Sequence, residues 1–254
     1  INFYIMLRLS VCLIVYRGKD HVKYAASEWG IRNMKITYDP RFVPAHDMIN
    51  HGQVLLMNEA PGPDEAASRI PLYGQQGANL FHALRDAGIK WAVDHEKFAW
   101  PRNDAIHHES RQHQKKSFLA TRSKFITCTN SYSYWPKPTN GAHNFCPPLK
   151  EDVFANANIE RIQMEIKHSH SVLLICGVYS YLACIGNDLT HITDRVFEEL
   201  TEDEIEIANT RLNSHFKKGW YMGHTRRWSL NKQKSTNSLR ALAKFLNWPL
   251  LEQI

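Results

Sequence analysis

The feature that most constrains the fold of this chain is a short apolar run that ends abruptly in a segment rich in proline and glycine. The apolar run covers residues 54–57, and the polar segment that follows it covers residues 58–65. An apolar run of this length, bounded by turn residues, is typical of a strand that is buried on both faces. After Gly77, apolar residues recur with helical spacing at Leu80, Phe81, Leu84 and Ala87. We therefore predict a buried strand, a tight turn and a helix, in that order.

Three carboxylates crowd this predicted turn, namely Glu59, Asp64 and Glu65. A strand that ends in a tight turn places its polar turn residues at the rim of a sheet. In open α/β sheets that rim, at the carboxyl ends of the strands, is where ligands bind. The turn is therefore a candidate active site.

The rest of the chain alternates between strand-like and helix-like segments. Further buried strands are predicted at residues 125–130 and 171–177 and in the segment that starts at Trp220. Helical patterns cover residues 152–167, 178–185 and 236–248. Alternation of this kind, with short connections, predicts a parallel sheet covered by helices on both faces. We expect an α/β fold, a three-layer α/β/α sandwich around a central four-stranded, mainly parallel sheet, in a single domain over residues 1–254.

Composition narrows the class of partner and the compartment. The formal net charge of +6 favours a polyanionic partner. The 5 cysteines are odd in number and include no Cys-x-x-Cys, so we expect no disulfide framework and a reducing cytoplasm. No segment is long and apolar enough to span a membrane. We expect a monomer without a membrane partner.

The candidate turn also resembles a known motif. Residues 58–62 read Asn-Glu-Ala-Pro-Gly, and Glu65, residues 70–74 and Gly77 follow. This pattern resembles the first motif of the uracil-DNA glycosylase superfamily. The similarity is greatest to its iron–sulfur branch, which reads Gly-Glu-Ala-Pro-Gly, then a second Glu, then Gly-x-Pro-Phe-x-Gly-x-x-Gly. Asn130 at the end of the second strand and His224 in the exit loop of the fourth match the family's Asn and His in the expected order.

The chain departs from that branch at its cluster cysteines. Tyr134 stands where one cysteine is expected and Trp135 replaces an Arg, while Cys146 matches another cysteine and Cys12 stands alone. Four thiolates are needed to hold a four-iron cluster. We therefore expect no iron–sulfur cluster and no other cofactor. A zinc site formed by His107, His108 and His113 is conceivable, but their spacing is not diagnostic, and we predict no metal.

The resemblance implies removal of a pyrimidine from DNA by hydrolysis of its bond to the sugar. It places Glu59 and Glu65 on the side of the sugar and the attacking water, with Asp64 as a second candidate to activate that water. It implies that His224 donates to the base oxygen, where negative charge grows in the transition state. Each residue has a structural alternative: Glu59 as a turn cap, Glu65 as a surface acid, and His224 as a solvated loop residue.

Base-binding residues also follow from the resemblance. Asn130 is expected to bind the pyrimidine edge, and its alternative is an ordinary loop cap. Ala60 occupies the place where other branches carry a catalytic Asp or Asn. Leu72 replaces the Phe that stacks on uracil in the resembled branch, and Tyr73 lies beside it. Stacking on an aromatic ring contributes about 1–3 kcal/mol, which a Leu cannot supply.

The loss of that aromatic ring predicts a pocket that is not tuned to plain uracil. We expect a bulky modified cytosine, hydroxymethylated or glucosylated, of phage DNA as the target of a monofunctional glycosylase in antiphage defence. The sequence also fits three alternatives. They are a uracil-DNA glycosylase of base-excision repair, a non-catalytic member that binds nucleic acid, and an unrelated hydrolase that uses the Glu-rich turn.

Two segments are candidates for contact with the DNA backbone. The first follows His224 and consists of Thr225, Arg226, Arg227 and Trp228. These residues are placed to hold phosphates and to fill the gap left by a flipped base. The alternative is a charged surface loop with Trp228 in the core. The second segment is a basic, histidine-rich insertion around residues 92–124, which either faces DNA or is a solvated surface insertion.

Overall fold

A five-stranded sheet forms the centre of the protein in a computed structural model, which describes residues 42–46, 52–95, 108–134, 148–166, 170–186, 192, 195–224, 228 and 231–251. The strands are β1 Val54–Asn58, β2 Ile126–Asn130, β3 Val172–Ile175, β4 Glu198–Glu199 and β5 Lys218–Tyr221. Their order in the sheet is β2-β1-β3-β5-β4. The first four strands in this order run parallel, and β4 pairs antiparallel with β5.

The α/β class and the mostly parallel sheet that the sequence predicts are confirmed. The four parallel strands are those predicted from the apolar runs, and every residue of β1, β2 and β3 is buried. The expectation of four strands is short by one, because β4 adds a two-residue edge strand. Both of its residues, Glu198 and Glu199, are exposed. Two exposed glutamates do not form an apolar run from which a strand could be predicted. They form a strand because they pair with β5.

Nine helices are present in the described part of the chain. They are α1 Pro63–Ser68, α2 Gln75–Asp86, α3 Lys90–Val93, α4 His108–Arg122, α5 Lys150–Phe154, α6 Asn156–Glu165, α7 Val178–Cys184, α8 Glu202–Leu212 and α9 Lys232–Phe245. Each of α1, α2 and α7 begins just after a glycine, at Gly62, Gly74 and Gly177 respectively.

Two apolar clusters cover the two faces of the sheet. Successive residues of a strand point to opposite faces. Accordingly, Leu56 belongs to one cluster with residues of α2, α4 and α9, and Leu55 belongs to the other with residues of α5, α6, α7 and α8. Helices therefore pack on both sides of the sheet, which is compatible with three layers.

The second half of helix α4, within the predicted insertion around residues 92–124, is part of this core. Its Phe118 and Leu119 are buried in the first cluster. Arg122, at the end of α4, is completely buried. The interpretation of the whole segment as a solvated insertion is therefore wrong for the second half of α4, where apolar residues face the sheet. His107 and the side chains of His108 and His113, which would form the conceivable zinc site, lie outside the described residues.

The described residues all belong to one compact unit, Asp39–Ile254. Residues 1–38, Trp135 and Cys146 lie outside the described residues, and so do the expectations that concern them. The described cysteines, Cys128, Cys176 and Cys184, are buried free thiols. Among the described helices, none has the length and apolar character needed to cross a membrane.

Candidate active site

The carboxyl ends of three parallel strands bring the main candidate residues to one edge of the sheet. Glu59 directly follows β1, Asn130 is the last residue of β2, and His224 lies shortly after β5. The imidazole Nε2 of His224 is 3.6 Å from the carboxylate Oε2 of Glu59. Residues that are far apart in the sequence thus form a carboxylate–imidazole pair.

The Glu59 carboxylate is largely shielded from water. Its side chain is 9% exposed, whereas that of His224 is 29% exposed. Oε1 of Glu59 accepts a hydrogen bond from the backbone N–H of Tyr179, in the first turn of α7, at 3.3 Å. Burial raises the pKa of Glu59 above its ordinary value, although the N–H groups of Tyr179 and Val178 act in the opposite direction. A carboxylate with a raised pKa is a better proton acceptor than one on the surface.

Gly177 makes room for this carboxylate. A Cβ at this position would lie 2.3 Å from Cδ of Glu59 and 2.4 Å from its Oε1, well inside van der Waals contact. Gly177 also has a positive φ of 93°, which side chains rarely tolerate. The strand–glycine–helix segment is therefore shaped around Glu59.

The end of β2 fixes the backbone of Glu59 from the other side. The hydroxyl of Ser131 donates to the Glu59 carbonyl at 2.7 Å. The backbone N–H of Tyr132 donates to the same carbonyl at 3.0 Å, and the N–H of Ser131 donates to the Asn58 carbonyl at 2.6 Å. The turns after β1 and β2 are therefore held together by three hydrogen bonds.

Asn130 carries a donor without an acceptor. Its side chain is completely buried, and its Nδ2 has no hydrogen-bond partner among the described residues. Leaving a buried donor unpaired costs about 1–3 kcal/mol. This cost is not explained by a role as a loop cap. It is consistent with a group that awaits a ligand.

Glu65, expected on the side of the sugar and the attacking water, is buried within its own loop. One oxygen accepts from the backbone N–H of Gly62 at 2.6 Å, and the other accepts from the N–H of Leu72. The guanidinium of Arg122 holds the same loop by donating to the carbonyls of Pro71, at 3.1 Å, and Leu72. Because both of its oxygens bind loop N–H groups, Glu65 maintains the shape of the turn.

The predicted base-binding residues differ in their exposure. Ala60 is buried beside Glu59. Leu72 has a positive φ of 56° and is completely buried in the apolar cluster, so its side chain packs in the core and does not line an open pocket. Tyr73 is half-buried, and the Lys115 ammonium lies 3.4 Å from the centroid of its ring. Asp64 is exposed, with its carboxylate next to Gly74.

The residues expected to contact DNA after His224 are only partly described. Residues 225–227, and with them Thr225, Arg226 and Arg227, lie outside the described residues. Trp228 is 2% exposed, and its indole N–H donates to the Met222 carbonyl at 2.9 Å. The ring packs in the core against Phe197, which is the alternative stated above for Trp228.

Several site residues were not found from the sequence. Asn58 stands where the resembled motif has Gly, and this departure was the one available signal. Gln76, whose Oε1 accepts a hydrogen bond from Nδ2 of Asn58 at 2.6 Å, lies within the motif at a variable position. Ser131 and Tyr179 act through a hydroxyl or a backbone N–H, which many residues could supply equally well. No sequence pattern distinguishes them.

A groove of about 810 Å³ lies away from this edge of the sheet. Its lining comes from α5, α6 and α8 and includes Lys150, Phe154, Ile159, Gln163 and Arg211. Its lining includes both basic and acidic side chains, and neither Glu59 nor His224 contributes. The carboxylate–imidazole pair and this groove are therefore separate features, and only the pair has a recognisable chemical arrangement.

No protein-family model and no curated protein matches the chain. The assignment of function therefore depends on the site geometry and on the motif resemblance.

We expect Gly177→Ala to destabilise the protein more than Gly186→Ala does. Gly186 also has a positive φ, of 122°, but a Cβ there would have nothing within 4 Å. The control thus measures backbone strain alone, about 1–3 kcal/mol. Gly177→Ala adds the displacement of Glu59, on the order of 1–3 kcal/mol more. Urea denaturation measures both, and equal losses would contradict the steric argument.

The contribution of Glu65 to the stability of the protein should fall as the pH rises from about 4.5 to about 7. Burial raises the pKa of Glu65 from 4.5 to about 7, against the opposing effects of the Gly62 and Leu72 N–H groups and the charge of Arg122. In this window the unfolded chain has already released the proton that the folded chain keeps. The loss due to this group is at most about 1.4 kcal/mol per pH unit.

The matched variant for this test is Glu65→Gln. We expect it to be less stable at every pH, because an amide offers one acceptor where the carboxyl group offers two. Its stability should nevertheless lack the slope contributed by Glu65. Denaturant titrations of both proteins at several pH values measure the difference. Parallel pH profiles would show that Glu65 does not titrate in this window.

Proposed function

We propose that the protein is a monofunctional DNA glycosylase that hydrolyses the N-glycosidic bond of a flipped pyrimidine and leaves an abasic site. The observation that carries the proposal is the meeting of Glu59 and His224 at the sheet edge where β2 ends in the buried amide of Asn130. The motif resemblance supports the same conclusion. The sheet order, with helices on both faces, is compatible with a uracil-DNA glycosylase-like sandwich.

The chemistry requires a base beside the sugar. In the hydrolysis, the bond between C1′ and the ring nitrogen breaks, and its electron pair leaves with the base. Water forms the new bond to C1′ and gives up a proton. Glu59 is suited to accept that proton, because burial raises its pKa and the Tyr179 N–H fixes one of its oxygens. General-base assistance of this kind typically contributes about 10²–10⁴-fold.

The leaving base requires a donor. The imidazole of His224 is partly exposed and lies close to the carboxylate of Glu59. An imidazole N–H is a hydrogen-bond donor that suits an oxygen of the base on which negative charge develops. Once the base has left, a proton from His224 or from water neutralises it. No other reactant is required.

The proposed substrate is a bulky modified cytosine of phage DNA, hydroxymethylated or glucosylated, and the proposed role is antiphage defence. Leu72 is completely buried in the core and offers no aromatic face for stacking on the base. A site without this contact gains less from a flat, unsubstituted uracil. The net charge of +6 suits a polyanion such as DNA as the partner. Cytoplasmic localisation and action as a monomer belong to the same proposal.

We expect Glu59→Gln and His224→Ala each to slow base release without abolishing DNA binding. The expected loss is about 10²–10³-fold for either group. Single-turnover assays with mass spectrometry of the released base measure the rate, and fluorescence anisotropy measures binding. Glu160→Gln, at an exposed position on α6, serves as the control. Full activity in both site variants would exclude the proposed roles, and DNA binding without release by any protein would favour the non-catalytic alternative.

The substrate class is tested with the unmodified protein. We expect abasic sites to form in phage DNA that contains hydroxymethylated or glucosylated cytosine, since the site offers no aromatic face at Leu72 that would favour a plain uracil. Cleavage at abasic sites by hot alkali reports the yield. A duplex with uracil and one with unmodified cytosine are the matched comparisons. Abasic sites in the uracil duplex alone would replace the modified-base proposal with the repair alternative.

A further inference from the structure

Three side-chain amides form a chain at the end of β1 and β2. The Nδ2 group of Asn58 donates to Oε1 of Gln76 at 2.6 Å. The same Nδ2 lies 3.5 Å from Oδ1 of Asn130. Asn58 is 2% exposed and Asn130 is completely buried, while Gln76 is partly exposed. The chain therefore runs from the rim of the site to the buried amide.

This chain has a direction. Asn58 acts as the donor at both contacts, so the oxygens of Gln76 and Asn130 point towards it. As a result, Nδ2 of Asn130 points away from Asn58, and it has no acceptor among the described residues. An amide side chain has an acceptor on one side and a donor on the other. Reversing Asn58 would therefore require all three amides to turn around.

The direction matters because the two pyrimidine edges are complementary to opposite amide orientations. Cytosine offers an acceptor at ring position 3 and a donor at position 4, and uracil offers a donor at position 3 and an acceptor at position 4. An amide fixed in one orientation can pair twice with one of these edges. With the other edge it meets donor against donor and acceptor against acceptor. Sites built on such pairing reject the mismatched ligand strongly.

We infer that Asn58, backed by Gln76, determines the specificity of the site by fixing the orientation of the Asn130 amide, and so selects between a cytosine-type and a uracil-type edge. The inference deepens the proposed function and rests on it. Asn58 occupies the position that is Gly in the resembled motif, so the proposed effect of Asn58 on the Asn130 amide is particular to this protein. Asn58 acts here as a positioning residue, since Asn130 is the group that would touch the base.

Two substitutions add the same negative charge to this row of hydrogen-bonded amides, but they impose opposite donor–acceptor orders. Asn58→Asp can only accept, so Nδ2 of Asn130 should turn to donate to it. Gln76→Glu can also only accept, and it therefore preserves the donor role of Asn58. We expect Asn58→Asp to shift the cytosine-to-uracil preference towards the other edge by on the order of ten-fold or more. Gln76→Glu should keep the preference of the unmodified protein.

The readout is binding as well as base release. Duplexes that carry a 2′-fluoroarabino cytosine or uracil nucleotide resist hydrolysis, so anisotropy titrations give the ratio of the two affinities for each protein. Release of hydroxymethylcytosine and of uracil, measured by mass spectrometry, gives the ratio of the two rates. Thermal denaturation checks that each variant folds. If Asn58→Asp does not fold, Gln76→Ala, at the rim, should loosen the orientation and bring the preference closer to unity.

The outcomes separate this inference from the function it rests on. A reversed or sharply reduced preference in Asn58→Asp, with the preference kept in Gln76→Glu, supports the inference. An equal shift in both variants would assign the effect to the added charge and overturn it. An unchanged preference in every variant, with binding intact, would overturn the inference alone. Failure of the unmodified protein to bind or cleave any of these duplexes would overturn the proposed function together with the inference.

Discussion

The candidate site depends on one carboxylate that is kept out of water at the end of a parallel strand. Burying a carboxylate is costly unless it is hydrogen-bonded or paired. Glu59 meets this condition through the N–H of Tyr179 and the imidazole of His224. Its position also requires a residue without a side chain at Gly177. The end of β1, the start of α7 and the segment after β5 are thus organised around a single charge.

The sequence was sufficient to predict the four parallel strands of the sheet. It was not sufficient to predict the edge strand β4 or helix α4. Strands such as β1 and β3 are buried on both faces and therefore appear as continuous apolar runs. The edge strand β4 consists of two exposed glutamates, and it exists because β5 offers an unpaired edge. Helix α4 was hidden in a polar segment, because its few apolar residues, Phe118 and Leu119 among them, are enough to pack against the core. Both β4 and α4 are therefore stabilised by tertiary contacts that the local sequence pattern does not show.

The sequence predicted the positions of candidate residues at the ends of strands. It did not predict the positions of candidate residues in the turn. Glu59, Asn130 and His224 follow strands and reach the same edge. Glu65 and Leu72 lie in a turn whose local conformation no spacing pattern specifies. Within it, Glu65 binds two backbone N–H groups, and the left-handed φ of Leu72 accompanies its burial in the core. A residue that matches a motif can thus support the loop that carries it instead of contacting the ligand.

The hydrogen bonds of Ser131 and Tyr132 have a mechanical consequence. They join the backbone after β2 to that after β1, so the amide of Asn130 and the carboxylate of Glu59 share one rigid frame. His224 is attached differently, through Gly223 with its positive φ of 65°. In the proposed function, any adjustment to pyrimidines of different size therefore comes from the histidine side. The groups proposed to bind the base edge and the attacking water keep a fixed separation, which is set by the spacing of two neighbouring strands.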